Sequence, residues 1–171
     1  MRERISKVKL LLLDVDGVMT DGRIIYSNNG QETKAFDVKD GHGLKLLQRA
    51  GIDVGIITGR ESQVVAKRAE ELGIKILFQG CRDKLAPYEL ILSETGLEDD
   101  EVAYVGDDVV DLPVLRRVGF AATVCDAIED VKPYVHYVTT HPGGRGAVRE
   151  ICELILKESG QWVAVAGRYF P

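Results

Sequence analysis

The chain has 171 residues, of which 45% are hydrophobic and 29% charged, and its net charge is −5, from 27 acidic and 22 basic residues. This composition is typical of a globular protein, and the length favours a single domain over residues 1–171. The acidic balance, without any basic block, argues against partners such as nucleic acid or an anionic membrane surface.

Cysteine usage and hydropathy indicate the compartment. Cys81, Cys125 and Cys152 are widely spaced and form no C-x-x-C pair, which favours reduced thiols over a disulfide framework or a zinc site. No apolar stretch has the length of a signal peptide core or a transmembrane helix. We therefore expect a cytoplasmic protein.

Short apolar runs alternate with amphipathic stretches along the chain. The predicted strands are residues 9–14, 53–58, 74–78, 102–106, 120–124 and 136–138. The predicted helices are residues 43–50, 62–72, 84–95, 111–118 and 146–158. Repeated β-α-β units with buried strands predict the α/β class, with a Rossmann-like, doubly wound parallel sheet covered by helices on both faces.

One segment interrupts this alternation. Residues 23–36 hold two extended stretches around Asn28-Asn29-Gly30, and Asn-Gly supplies the positive φ that a tight hairpin turn needs. We therefore predict a β-hairpin insertion. The intervals from Asp16 to Thr58 and from Thr58 to Lys84 have room for little else, so no cap domain is expected.

The most informative residues follow the first strand, where an apolar run ends in Asp14-Val15-Asp16-Gly17. Side chains two apart on a strand face the same way, so the two carboxylates lie close together and disfavour each other's ionisation. A cation between them, or a proton on one of them, relieves that repulsion. Both remedies belong to metal-assisted acid–base chemistry.

Reactive side chains follow three further predicted strands. Thr58-Gly59-Arg60 follows the second strand, Lys84 comes shortly after the third, and Asp107-Asp108 follows the fourth, with Asp111 one turn later. Taken alone, each is ordinary: a turn, a solvated lysine, a helix cap. Because ligands bind beyond the carboxyl ends of parallel strands, the four together predict one active site.

The chemistry of these side chains is complementary. Hard oxygen ligands from Asp14 and Asp107, completed by water, suit Mg²⁺. The hydroxyl of Thr58 and the ammonium of Lys84 suit the oxygens of a phosphoryl group. An aspartate can attack phosphorus, and a second carboxyl two residues on can protonate the leaving group and then deprotonate water.

The motifs D-V-D-G-V, T-G, Lys84 and G-D-D-x-x-D, in this order over residues 14–111, resemble the four motifs of the haloacid dehalogenase superfamily of phosphohydrolases. The resemblance implies that Asp14 is the nucleophile and Asp16 the general acid/base. It also implies that Thr58 and Lys84 hold the phosphoryl oxygens. An aspartate at the second position of the first motif implies a phosphatase or phosphotransferase rather than a dehalogenase.

The same resemblance implies that Mg²⁺ is the cofactor. The ion would be bound by Asp14, by the main-chain carbonyl of Asp16 and by Asp107. Asp108 would support this metal site.

Longer matches narrow the resemblance to the phosphatases of 3-deoxy-D-manno-octulosonate 8-phosphate (KDO 8-phosphate). The matching stretches are D-V-D-G-V-M-T-D-G, N-N-G, F-D-V-K-D-G-H-G, I-T-G-R, Y-V-G-D-D and G-G-R-G-A-V-R-E. That family makes free KDO for lipopolysaccharide as tetramers without a cap domain, which implies a sugar acid phosphate as substrate and a homotetramer. Two alternatives stay open: a phosphatase for a nine-carbon sialic-type acid phosphate, and a catalytically silent regulatory or scaffold domain.

A second set of residues is expected to bind the substrate. By the resemblance, these are Asp16, Lys39, Asp40, Gly41, Lys45, Arg60, Arg68 and Lys84. Arg60 and Arg68 are eight apart on a predicted helix, hence roughly on one face, and arginine suits bidentate capture of a carboxylate. The alternatives are solvated helix charges for the two arginines and an N-cap of its own helix for Asp40.

Two further segments leave a choice open. Residues 143–146, Gly-Gly-Arg-Gly, form either an anion-binding nest or a plain loop before a helix, and the plain loop is favoured because no Walker lysine follows. The apolar tail, residues 160–171, is expected to close over a neighbouring subunit's active site. The alternatives are a disordered end and packing on its own subunit. His42, His136 and His141 show no metal-binding spacing.

Overall fold

A six-stranded parallel sheet forms the centre of the structure, a computed structural model that describes residues 1–170. The strands are β1 (Leu10–Leu13), β2 (Ile25–Tyr26), β3 (Glu32–Thr33), β4 (Asp53–Ile57), β5 (Ile76–Phe78), β6 (Val102–Val105), β7 (Phe120–Thr123) and β8 (Tyr137–Val138). The sheet has the order β5-β4-β1-β6-β7-β8, and β2 and β3 pair separately as an antiparallel hairpin. Every pairing in the large sheet is parallel, which confirms the predicted fold class. The antiparallel pairing of β2 with β3 confirms the hairpin insertion.

Helices cover both faces of this sheet. They are α1 (Arg2–Ile5), α2 (Val38–Arg49), α3 (Gln63–Leu72), α4 (Leu85–Thr95), α5 (Leu112–Leu115), α6 (Ala147–Glu158) and α7 (Trp162–Ala166). Short 3₁₀ helices span Asp99–Glu101, Val109–Asp111, Glu129–Tyr134 and Gly167–Tyr169. Among the described residues, no helix combines the length and the apolar character needed to cross a bilayer.

The first long helix begins earlier than predicted. Its first residue is Val38, five positions before the predicted start at Gly43, because the Asp37 side chain accepts hydrogen bonds from the amides of Lys39 and Asp40 and caps the helix there. Glycine disfavours the interior of a helix, and Gly41 and Gly43 hid this first turn from the sequence pattern. The predicted helix 111–118 is also shorter at both ends: a 3₁₀ turn includes Asp111, and the helix ends at Leu115.

Alternate residues of β1 face opposite layers of the core. Leu11 and Leu13 pack with the cluster that includes α2, α3 and α6. Leu10 and Leu12 pack with the cluster that includes α4 and α5. All four leucines are fully buried, and burying each such side chain stabilises the fold by roughly 1.5–3 kcal/mol.

The path of the chain through the sheet opens a crevice at one edge. From β1 the chain runs outward through β4 and β5, then returns to β6 on the other side of β1 and runs outward through β7 and β8. Loops leaving the carboxyl ends on the two sides of such a reversal diverge. The segments between β1 and Lys84 hold only the hairpin, two helices and two strands, and no cap domain is present among the described residues.

Candidate active site

A cavity of about 260 Å³ opens at the carboxyl ends of β1, β4 and β6. Its lining residues share a location at strand ends or in the loops that follow: Asp14, Asp16, Thr58, Gly59, Arg60, Cys81, Arg82, Lys84, Asp107, Asp108 and Val110. The structure thus brings together the residues that follow four different strands of the sheet. Those predicted to carry the chemistry all line this one cavity.

Lys84 is the central cation of the cavity. Its ammonium contacts Asp14 Oδ1 at 3.0 Å and Asp111 Oδ1 at 2.6 Å, although only 2% of its side chain is exposed. Burial lowers the pKa of Lys84, but the charges of Asp14 and Asp111 more than reverse this and raise its pKa above the ordinary value. Lys84 is therefore held as an ammonium between two carboxylates.

Asp111 organises the loop behind the cavity and is fully buried. Besides Lys84, it accepts hydrogen bonds from the Tyr104 hydroxyl at 2.6 Å, from the Asp107 amide at 2.9 Å and from the Asp108 amide at 3.2 Å. Asp111 therefore anchors both the lysine and the Asp107 loop. In the sequence it was one more acidic residue after the strand; Tyr104, inside the buried strand, gave no signal.

Asp14 and Asp107 are the carboxylates left for a cation. One oxygen each of Asp14, Asp107 and Asp111 lie within 4.8 Å of one another. Burial, reinforced by neighbouring carboxylates, raises the pKa of Asp14 to about 6 and that of Asp107 to about 7. Such crowding is relieved by a divalent cation, and hard carboxylate oxygens with room for water fit Mg²⁺. Because Asp111 already accepts four hydrogen bonds, Asp14 and Asp107 fit such a site best.

Backbone contacts fix the loop that carries Asp16. A side chain on Gly17, whose φ is +92°, would place its Cβ 2.0 Å from Asp107 Oδ2. A Cβ on Gly143 would lie 1.8 Å from the Gly17 carbonyl oxygen. The amides of Gly143 and Gly144 donate to Asp126 and to the Val18 carbonyl. This geometry favours the plain-loop interpretation of residues 143–146, because these amides already bind groups of the protein.

Thr58 and Asp108 flank the two sides of the cavity. Thr58 directly follows β4 with 2% of its surface exposed, and its amide donates to the Phe78 carbonyl of the neighbouring strand. Asp108 is exposed, and its side chain accepts from the Val109 amide at 2.6 Å to begin a 3₁₀ turn. The backbone thus fixes both residues at the cavity edge.

The Asp16 carboxylate contacts two cations. The Lys34 ammonium forms an ion pair with Oδ1, and Arg60 Nε lies 3.6 Å from Oδ2. Glu32 contacts the same two cations, at 3.6 Å from Lys34 and 3.2 Å from Arg60. Lys34 and Glu32 come from the hairpin and were not among the site residues predicted from the sequence. Their alternate spacing on one strand face was the available signal.

The other predicted substrate-binding residues do not line this cavity. Asp40 is buried and accepts from the amides of Arg149 at 2.8 Å and Gly146 at 3.4 Å, so it caps α6 and not its own helix. Lys45 donates to the Leu72 carbonyl at the end of α3.

Arg68 pairs with Glu71 at 3.3 Å and lies over the Phe36 ring. Gly41 packs so closely to Arg68 that a Cβ there would lie 2.3 Å from its guanidinium. Lys39 lines a different pocket, beside α6. Within one subunit, the structure therefore gives these residues other partners and does not bring them together in the cavity. That they bind substrate stays a prediction.

Comparison with known proteins matches a model of the haloacid dehalogenase-like hydrolases over residues 30–119. The chain is 49% identical over 154 residues to the 3-deoxy-D-manno-octulosonate 8-phosphate phosphatase of Yersinia pestis, covering 90% of this chain and 82% of that protein. It is 46% identical over 156 residues to the enzyme of the same name from Escherichia coli K12, covering 91% and 83%.

Comparison with solved structures finds a phosphatase of the same name. A 3-deoxy-D-manno-octulosonate 8-phosphate phosphatase from Moraxella catarrhalis, in complex with a magnesium ion, a phosphate ion and KDO, superposes with a TM-score of 0.96 at 44% identity, covering 98% of this chain and 97% of that one. This chain is therefore similar to these phosphatases in both sequence and fold over nearly its whole length.

Proposed function

The chain belongs to the haloacid dehalogenase-like hydrolases, and on that premise we propose that it hydrolyses KDO 8-phosphate to KDO and inorganic phosphate, with Mg²⁺ as cofactor. One observation carries the reaction class: Asp14 and Lys84 lie 3.0 Å apart in the cavity that Asp16, Thr58 and Asp107 also line. The substrate is proposed from the relatives, whose names specify this sugar acid phosphate.

Asp14 and Asp107 would hold the metal ion, joined by the main-chain carbonyl of Asp16, with Asp108 in support. When bound, the ion neutralises charge on the phosphoryl oxygens and on the crowded carboxylates. The raised pKa values of Asp14 and Asp107 support this assignment, because the protein alone disfavours two ionised carboxylates here.

Asp14 is the nucleophile in this proposal. Its carboxylate oxygen forms a bond to phosphorus as the bond from phosphorus to the sugar oxygen breaks, which leaves an aspartyl-phosphate. Lys84 contacts Asp14 and would supply a fixed positive charge to the phosphoryl oxygens. The hydroxyl of Thr58 would donate to the same group.

Asp16 moves the protons. In the first step its carboxyl gives a proton to the departing sugar oxygen, and in the second it takes a proton from the water that attacks the aspartyl-phosphate. Phosphate leaves, Asp14 is restored and Asp16 ends protonated, as it began. Arg60, beside Asp16 at the cavity edge, is proposed to bind the sugar acid.

An oligomer would complete this open site. The cavity has no cap, and the hairpin exposes apolar side chains: about half of Ile24 and Ile25 and 60% of Tyr26 are accessible. We infer that hairpins of neighbouring subunits pack together in a homotetramer, as the resemblance implies. The product would enter lipopolysaccharide precursor synthesis.

A substrate panel tests the proposal. Phosphate release is measured from KDO 8-phosphate, from a nine-carbon sialic-type acid 9-phosphate and from 4-nitrophenyl phosphate, each with Mg²⁺ and with a chelator. We expect Mg²⁺-dependent release with the highest kcat/KM for KDO 8-phosphate. A higher kcat/KM for the nine-carbon acid phosphate would show that it, and not KDO 8-phosphate, is the preferred substrate. No release from any of the three would favour a silent scaffold domain.

A further inference from the structure

Lys34 is a buried cation supplied by the hairpin to the active site. It follows β3, and only 1% of its side chain is exposed. Its ammonium pairs with Asp16 Oδ1 and lies 3.6 Å from Glu32 Oε1. A lone ammonium without water is strongly disfavoured, so its two carboxylate partners determine where it lies.

The contacts of Lys34 continue into the loop after β4. Glu32 accepts from the Ser62 hydroxyl and from Arg60 at 3.2 Å. Arg60 also donates to the Tyr26 hydroxyl at 3.0 Å and faces Asp16 Oδ2 with its Nε. Cations therefore contact both Asp16 oxygens, and the hairpin anchors both cations.

We propose that Lys34 is a positioning residue that holds the Asp16 carboxyl in the orientation needed to give a proton to the departing sugar oxygen and to take one from the attacking water. The proposal rests on the proposed function, in which Asp16 is the general acid/base. Lys34 contacts neither Asp14 nor Lys84, so it acts on proton transfer and not on the attack at phosphorus.

The test uses two leaving groups in the full-length protein. General acid–base catalysis contributes typically ~10²–10⁴-fold, so Lys34→Met should lower kcat for KDO 8-phosphate by about 10²-fold with KM changed less than about threefold. With 4-nitrophenyl phosphate, whose leaving group departs without a proton, the pre-steady-state burst of 4-nitrophenol should keep its wild-type rate. Lys34→Arg should restore most of kcat for the sugar phosphate.

Two further variants test the second partner of Lys34 and provide a control. Glu32→Gln removes the second partner of Lys34 and should give the same selective loss to a smaller extent. Lys67→Met, at an exposed position of α3, is the matched control and should behave as wild type with both substrates. Circular dichroism and thermal unfolding confirm that each variant is folded.

A burst rate with 4-nitrophenyl phosphate that falls as much as kcat for the sugar phosphate in folded Lys34→Met would overturn the positioning role. An unchanged kcat for the sugar phosphate would overturn it as well. A wild-type protein inert towards both substrates would overturn the proposed function and this inference with it. Selective loss in Lys34→Met beside an active wild type supports both.

Discussion

At the scale of single residues, the active-site aspartates differ by their surroundings. Asp111 is enclosed by four hydrogen-bond donors and serves as an anchor. Asp14 faces the cavity beside Lys84, and Asp107 faces it across from Gly17. The same residue type therefore has different surroundings in one site. Burial and hydrogen-bond partners distinguish Asp14 and Asp107, the carboxylates proposed to react or bind metal, from the structural Asp111.

Asp14→Asn should abolish phosphate release and leave the fold intact, because the amide cannot attack phosphorus. Asp16→Asn should fail differently: with 4-nitrophenyl phosphate it should still give one burst of 4-nitrophenol per active site, followed by slow turnover. Rapid-mixing kinetics and mass spectrometry of the phosphorylated protein measure both. Substantial Mg²⁺-dependent turnover by Asp14→Asn would contradict the nucleophile assignment.

Asp107 should make the stability of the metal-free protein depend on pH. Its pKa is raised from 3.8 to about 7 in the folded state, so the folded state binds more protons than the unfolded state between these values. Stability should therefore fall as pH rises from about 4 to about 7. At pH 8 with a chelator, the unfolding free energy of Asp107→Asn should exceed that of wild type by up to roughly 4 kcal/mol, since one pKa unit corresponds to about 1.4 kcal/mol.

Urea unfolding at pH 4.5, 6 and 8 measures this difference, with a chelator and with Mg²⁺. The gap should shrink towards pH 4.5, and Mg²⁺ should stabilise wild type more than the variant at pH 8. A gap that does not vary with pH would rule out the raised pKa.

At the scale of elements, long-range side-chain caps join segments that are distant in the chain. Asp40, in α2, holds the start of α6 through two amides. Burial raises the pKa of its carboxyl, partly offset by those amides. Two helices on one face of the sheet are thereby joined next to the loop of residues 143–146, which supports Gly17.

Asp40→Ala should cost about 1–2 kcal/mol of unfolding free energy, the usual effect of losing a helix cap. We expect KM for KDO 8-phosphate to change less than about twofold, because Asp40 lies outside the cavity. Chemical denaturation and steady-state kinetics measure the two effects. The control is Asp130→Ala, at an exposed position. A KM raised about tenfold would instead return Asp40 to the substrate-binding set.

The sequence predicted the elements and the meeting of the strand-end residues, because short apolar runs between amphipathic stretches identify buried parallel strands. Parallel strands share one carboxyl edge. Lys34 could not be placed this way. Its role depends on how the hairpin folds back over Asp16, and the local pattern of residues 23–36 specifies only a turn between two short strands. Asp40 was predicted to bind substrate or to cap its own helix. Its contact with α6 escaped prediction for the same reason, since its partners there lie more than 100 residues away.

At the scale of the whole molecule, the C-terminal tail packs on its own subunit. Trp162 lies beside Arg149 and Lys157 of α6, and the Tyr169 hydroxyl accepts from Arg49 of α2 at 3.1 Å. No described tail residue lines the active-site cavity. This arrangement agrees with the alternative in which the segment packs on its own subunit, and closure over a neighbouring subunit's active site stays a prediction.

Truncation after Ser159 should therefore act mainly on stability. Loss of the buried Ala166 and the half-buried Trp162 should lower the unfolding midpoint by several degrees, as ~1–2 kcal/mol does for a domain of this size. The kcat and KM for KDO 8-phosphate should each change less than about twofold. Differential scanning fluorimetry, oligomer mass and steady-state assays measure this. Unchanged mass with a KM altered about tenfold would show that the tail closes a neighbouring site.

The position of β1 also matters during synthesis on the ribosome. Its four leucines pair with β4 on one side and with β6 on the other, and β6 is translated about 90 residues after β1. Until then, one edge of a wholly apolar strand has no partner in the nascent chain, and such an edge invites pairing with other chains. Chaperone demand during expression should therefore peak before Val105 emerges from the ribosome and fall once β6 has joined the sheet.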